Sequence, residues 1–149
     1  MGDHPELLHT VIDTTDPRRL AEFYRHLLGY IYRPGDEPAP EDRSVTGSGQ
    51  DGKDGEAEPD WLVLTDARGN RKLAFQLVAH LEPTTWPKTT VPMQMHLDLT
   101  VADRAALDRQ RQRAEDLGAE LLFDRTDDED EPLYVFADPS GHPFCIFVA

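Results

Sequence analysis

Between Pro92 and Asp103, Met93, Met95, Leu97, Leu99 and Val101 alternate with Gln94, His96, Asp98 and Thr100. That is the period of a strand with one apolar and one polar face. The same alternation occurs near the start of the chain, where Leu8, Thr10 and Ile12 form one face and Leu7, His9, Val11 and Asp13 the other. One offset relates His9 to His96 and Asp16 to Asp103. Each strand runs into an aspartate suited to cap a helix. After Asp16-Pro17, the residues Leu20, Phe23, Tyr24, Leu27 and Leu28 recur at helical spacing, and Gly29 ends the helix by taking a left-handed conformation cheaply. After Asp103, Ala106, Leu107, Ala114 and Leu117 make a thinner stripe that stops at Leu117-Gly118.

Three further strands are expected in each half. In the first they are Tyr30–Tyr32, Asp60–Thr65 and Lys72–Ala79; in the second, Glu120–Phe123, Leu133–Ala137 and Pro143–Val148. Asp66–Asn70 and Asp138-Pro-Ser-Gly141 read as turns. The chain therefore divides into two related βαβββ modules, about 5–82 and 92–149, in one α+β domain over 1–149. Pro83–Pro92 would cross between them as a stretched strap, because proline holds the preceding residue extended. Trp86, before Pro87, would rest on a sheet edge or line a pocket mouth.

The stretch 34–59 is rich in proline, glycine and acidic residues, with Val45 and two alanines as its aliphatic content. It cannot bury enough apolar surface to offset its ordering entropy, so a mobile acidic loop is expected, either a tolerated insertion or a lid over a ligand. The acidic run Asp127–Glu131 lacks the alternation and glycine of a calcium loop and reads as a solvated turn.

The net charge is −14, from 29 acidic and 15 basic residues, which argues against nucleic acid and anionic membrane surfaces as partners. No window approaches the ~20 apolar residues of a membrane span. One cysteine, Cys145, excludes an intrachain disulfide, and Met1–Glu6 has neither the basic head nor the apolar run of a signal peptide. A cytoplasmic location is the expectation. No serine nucleophile elbow, phosphate-cradling loop or dinucleotide fingerprint is present.

The ordered set Leu8-His9-Thr10-Val11, Asp16, Phe23-Tyr24, Leu28-Gly29, Met95-His96-Leu97-Asp98, Leu117-Gly118-Ala119 and Asp138–Phe144 resembles the vicinal oxygen chelate superfamily, the glyoxalase/bleomycin-resistance/dioxygenase group. Trp86-Pro87, Gln94–Asp98 and Pro143–Cys145 are similar to its glyoxalase-like domain subgroup. The resemblance implies two βαβββ modules forming a cupped mixed sheet with helices on its outer face, a cleft for a small molecule, and often a homodimer.

In metal-using members four strand residues point into that cleft. Matched motif by motif, they fall on His9, Gln76, His96 and Cys145. Glyoxalase-type members have carboxylates at the second and fourth positions, so this chain lacks two anionic ligands there. His9, His96 and Gln76 remain a tentative set for Zn, Ni, Mn or Fe, and Cys145 is either a ligand or an inert small residue between Phe144 and Ile146. Without metal, His9 and His96 are the acid–base candidates, since imidazole exchanges protons near neutral pH, and Asp98 would orient one of them or pair with an arginine. Gln76, Gln94, Trp61, Trp86 and Cys145 are the candidate ligand contacts. Three functions are open: lyase or isomerase chemistry on an oxygenated metabolite, binding of an antibiotic without chemistry, or a degenerate domain kept for assembly or regulation.

Overall fold

Both helices form where an aspartate cap meets an apolar stripe. In the computed structural model, which describes residues 2–40 and 59–149, helix α1 spans Pro17–Leu28. The Asp16 carboxylate accepts the Arg19 N–H at 3.1 Å, and Gly29 closes the other end at φ 70°. Helix α2 spans Arg104–Asp116, and the Asp103 carboxylate accepts the Ala106 N–H at 2.7 Å. Most of the acidic stretch proposed as a mobile loop, residues 41–58, lies outside the described residues.

Strands β1 (Thr10–Thr14), β2 (Ile31–Tyr32), β3 (Trp61–Thr65) and β4 (Arg71–Leu77) make one sheet in the order β1-β4-β3-β2. Strands β5 (Leu97–Val101), β6 (Glu120–Asp124), β7 (Leu133–Ala137) and β8 (Pro143–Val148) repeat it as β5-β8-β7-β6. In each sheet the first and last strands pair in parallel and the others antiparallel. The architecture is α+β, with two mixed four-stranded sheets.

The two polar strands are shorter than their alternation predicts. β5 starts at Leu97, not Met93, and β1 at Thr10, not Leu7. The ladder sets this limit. Leu97 pairs with Phe144, and beyond it the neighbouring chain runs through Pro143, which has no N–H, into the 138–141 turn. Alternation marks which way side chains face; a strand also needs a partner.

One apolar cluster spans both sheets. Leu20, Phe23 and Tyr24 of α1 share it with Leu62, Leu64, Leu73 and Phe75 of the first sheet and with Phe136, Phe144 and Ile146 of the second. Phe144 is fully buried, with ring centroids 5.8 Å from Phe23, 6.2 Å from Tyr24 and 5.1 Å from Phe136. Polar links follow the same seam. The Tyr24 hydroxyl donates to Asp138 Oδ2 at 2.6 Å, Thr14 and Ser140 share a hydroxyl hydrogen bond at 2.7 Å, and His142 Nε2 donates to the Asp13 carbonyl at 2.6 Å.

The connector is pinned at its start. Thr84 N–H donates to the Gly141 carbonyl at 2.8 Å, and a Cβ on Gly141, at φ 91°, would lie 2.5 Å from Pro83 Cβ. Trp86 lies edge-on to Phe123 of β6, with centroids 6.0 Å apart, and the Trp86–Pro87 peptide is cis.

Candidate functional site

Because both helices pack on the shared cluster, the opposite strand faces carry the chemistry-bearing side chains. On β5 and β8 the parallel register sets Asp98 beside Cys145, and His96, two residues before Asp98, projects from the same side. His96 Nε2 is 3.2 Å from Asp98 Oδ1. One ligand atom from each of His96, Asp98 and Cys145 lies within 4.8 Å of the others, and among the described residues this is the one such group of three or more His, Cys, Asp or Glu side chains.

His9 stands in different company. Its ring centroid is 6.1 Å from that of Trp61, and its Nδ1 is the one buried side-chain polar atom among the described residues without a hydrogen-bond partner. Burial, then the Arg71 and Arg33 guanidiniums, push its pKa below the ordinary histidine value. Gln76 is in register with Asp13 and with Trp61, on the same face of the first sheet.

A cavity of about 470 Å³ opens between the edge strand β1 and residues 91–97. Val11, Asp13, Glu82, Gln94, His96 and His142 are among its walls. Of the residues proposed from sequence, the cavity brings in Gln94 and His96; Asp98 and Cys145 join it through His96. His9, Gln76, Trp61 and Trp86 do not line it.

Burial, then the Asp98 carboxylate, push the Cys145 thiol up to about 11. Its thiolate fraction at pH 7.5 is then far below that of an ordinary cysteine, on the order of a hundredfold. Iodoacetamide at that pH should therefore alkylate Cys145 in the native metal-free protein on the order of 100 times more slowly than in urea, read by mass spectrometry.

Asp138 was legible in the sequence only as the start of a turn. In the fold it is a buried carboxylate: Oδ2 accepts from Tyr24, and Oδ1 accepts the Ser140 and His142 N–H groups at 2.9 and 3.0 Å. Burial raises its pKa despite those bonds. It fixes the turn that places His142 and Gly141 in the cavity wall.

Residues 9–147 match the glyoxalase-like domain family profile. The chain belongs to this family. No curated protein matches the sequence significantly. Among solved structures, a glyoxalase/bleomycin resistance protein/dioxygenase family enzyme from Burkholderia phytofirmans PsJN is similar at 15% identity, with 97% of this chain and 98% of that one covered and a TM-score of 0.63. The fosfomycin resistance protein FosX from Mesorhizobium loti is similar at 15% identity over 100% and 94%, TM-score 0.60. Lactoylglutathione lyase from Agrobacterium tumefaciens is similar at 13% identity over 99% and 96%, TM-score 0.56. At these identities the likeness is one of fold.

Within the glyoxalase-like fold, the surroundings of His9 do not suit a divalent ion. Two guanidiniums act on it, and its neighbour in the tentative set, Gln76, supplies no negative charge. The set His9, Gln76, His96 therefore offers three neutral ligands, one of them in a cationic setting.

No helix among the described residues is long and apolar enough to cross a membrane.

Proposed function

We propose that this glyoxalase-like protein binds a small oxygenated metabolite in the cavity between β1 and residues 91–97, and carries out lyase or isomerase chemistry by proton transfer at His96. The observation that carries this reading is the position of His96, in the wall of a cavity of about 470 Å³ and 3.2 Å from a carboxylate. That volume is within the ~300–1,000 Å³ of small-molecule sites. In the metal-free protein, His96 would take a proton from the carbon beside a carbonyl. Asp98 would balance the imidazolium charge, and the Gln94 amide would donate to the carbonyl oxygen as negative charge grows there. The proton then returns to the neighbouring carbon or oxygen.

The wall also bears on ligand charge. Asp13 and Glu82 line the cavity, and no lysine or arginine does among the described residues. This favours neutral or cationic ligands, and it supports the second reading, sequestration of a cationic antibiotic without chemistry. Leu7, Leu8 and Met95 are individually exposed apolar side chains, at 88%, 58% and 72%, of the kind a second copy covers, in support of a homodimer. A free, half-buried Cys145 suits a reducing cytoplasm.

The test is a thermal-shift panel of neutral, cationic and anionic carbonyl compounds, followed by proton exchange in D2O. A true ligand at 100 times its Kd should add about 2.7 kcal/mol of stability. Deuterium should enter at the carbon beside the carbonyl with wild type and not with His96→Gln. Binding without exchange would leave sequestration in its place. A panel in which only anions bind would sink both readings.

A further inference from the structure

We infer that the cavity takes a short neutral or basic peptide, or a molecule with peptide-like amides, which adds to the free edge of β1 as a further strand. β1 is the outer strand of its sheet, paired with β4 on one side and with no strand on the other. The cavity lies along β1, with Thr10, Val11, Ile12 and Asp13 in its wall.

Two hydrogen bonds fix the direction of each peptide group. The Thr14 carbonyl accepts the Val78 N–H at 2.9 Å, just past the end of β4, so it faces the sheet. The Asp13 carbonyl accepts from His142 Nε2 at 2.6 Å, so it faces away. In a strand the N–H and C=O of one residue point to the same side, and that side alternates along the chain. Thr10, Ile12 and Thr14 therefore bond to β4, and Val11 and Asp13 turn their backbone outward. With the Asp13 carbonyl taken by His142, the Val11 N–H, the Val11 C=O and the Asp13 N–H remain, and among the described residues no backbone group bonds to them. Such a row is a template for pairing with another chain.

The facing wall has the same lack. Met93, Gln94, Met95 and His96 keep the alternation of a strand but precede β5, and among the described residues their backbone groups bond to no other backbone. Two partnerless stretches thus border one space of about 470 Å³. Residues rise ~3.3 Å along a strand, so the outward groups from Val11 to Asp13 match about two to three ligand residues. Asp13 and Glu82 line the space, and no lysine or arginine does among the described residues, which favours an uncharged or cationic chain. Val11 and Met93, both exposed in the wall, suit an apolar side chain beside the paired backbone, and a thioether adapts to varied shapes.

The inference rests on the cavity reading for its site and not for its test, because binding is measured without turnover. The probe is N-acetyl-Val-Lys-Val amide, titrated into the full-length protein by calorimetry and amide NMR. Binding should shift the Val11 and Asp13 amide signals and slow their hydrogen exchange at least about tenfold. Methylating the peptide nitrogens removes the donors and keeps charge and side chains; it should weaken binding at least about tenfold, the order of one hydrogen bond. Exchanging the lysine for glutamate should weaken it as much. Val11→Pro deletes an outward donor and no ladder bond, which an edge strand tolerates, so it should melt near wild type and bind at least about tenfold more weakly. Val11→Ala should bind within about threefold of wild type. If Val11→Pro does not fold, the methylated peptide on wild type decides. No binding of the probe, or equal binding of the methylated or acidic peptide, would overturn the inference. So would protection of Val11 and Asp13 that rises with protein concentration in the absence of peptide, which would assign the edge to a second copy. Loss of deuterium exchange alone would remove the chemistry at His96 and leave peptide binding in place.

Discussion

Replacing Phe144 by alanine should cost about 3–5 kcal/mol of stability, the range for emptying a fully buried phenylalanine site. The position sets the upper half of that range as the expectation. Phe144 touches Phe23 and Tyr24 from one helix and stacks on Phe136 of its own sheet, at 16° between ring planes. These neighbours are anchored on different elements, so none can collapse into the space alone. Because Phe144 belongs to a cluster shared by both sheets, the urea transition should stay single and move to lower concentration as a whole. Two separated transitions, or a loss below about 2 kcal/mol, would show that the sheets do not depend on a common interior. Phe144→Leu should recover a good part of the loss, since it restores most of the volume.

Asp138→Ala should cost on the order of 3 kcal/mol or more, since the change strands the Tyr24 hydroxyl and two backbone N–H groups, and each buried donor left unpaired costs ~1–3 kcal/mol. Asp138→Asn separates charge from shape. The folded-state pKa of Asp138 is raised, chiefly by burial, against lowering contributions from Tyr24, His142 and the backbone bonds. A raised carboxylate pKa means that the native protein binds the proton more tightly than the unfolded chain. The stability tied to it is complete below the usual carboxylate value, ~3.9, and declines as pH rises through the folded value. Asp138→Asn, which cannot ionise, should gain on wild type over that window. Glu22, Asp66, Asp124 and Asp128, whose pKa values are lowered, change stability in the opposite sense and are common to both proteins. Chemical unfolding from pH 4 to pH 8 reads the difference; a constant gap would remove the buried-charge account of Asp138.

Particular residues show how much could be read without coordinates. Asp16, Pro17 and Gly29 bracket the first helix, and Asp103 opens the second, because caps and left-handed stops act within a few residues of chain. The repeated order of strand, helix and three strands led to the fold by the same local logic. The alternation reaches back to Met93 and Leu7, yet both lie outside β5 and β1, because pairing depends on where a distant segment begins. For Trp86 the sequence left two places open, a sheet edge or a pocket mouth, and the fold sets it against Phe123 of the edge strand β6.

The sequence by itself determined the duplicated βαβββ plan and put His96 and Asp98 on one strand face, since both follow from local spacing, and a resemblance carried by motifs along the chain pointed to the family. Tertiary structure decided which donors meet. Register across β5 and β8 brings Cys145 to Asp98, and the packing around His9 gives it a tryptophan and two guanidiniums. Contacts between residues far apart in the chain depend on how whole sheets align and pack, and no short stretch of sequence carries that information.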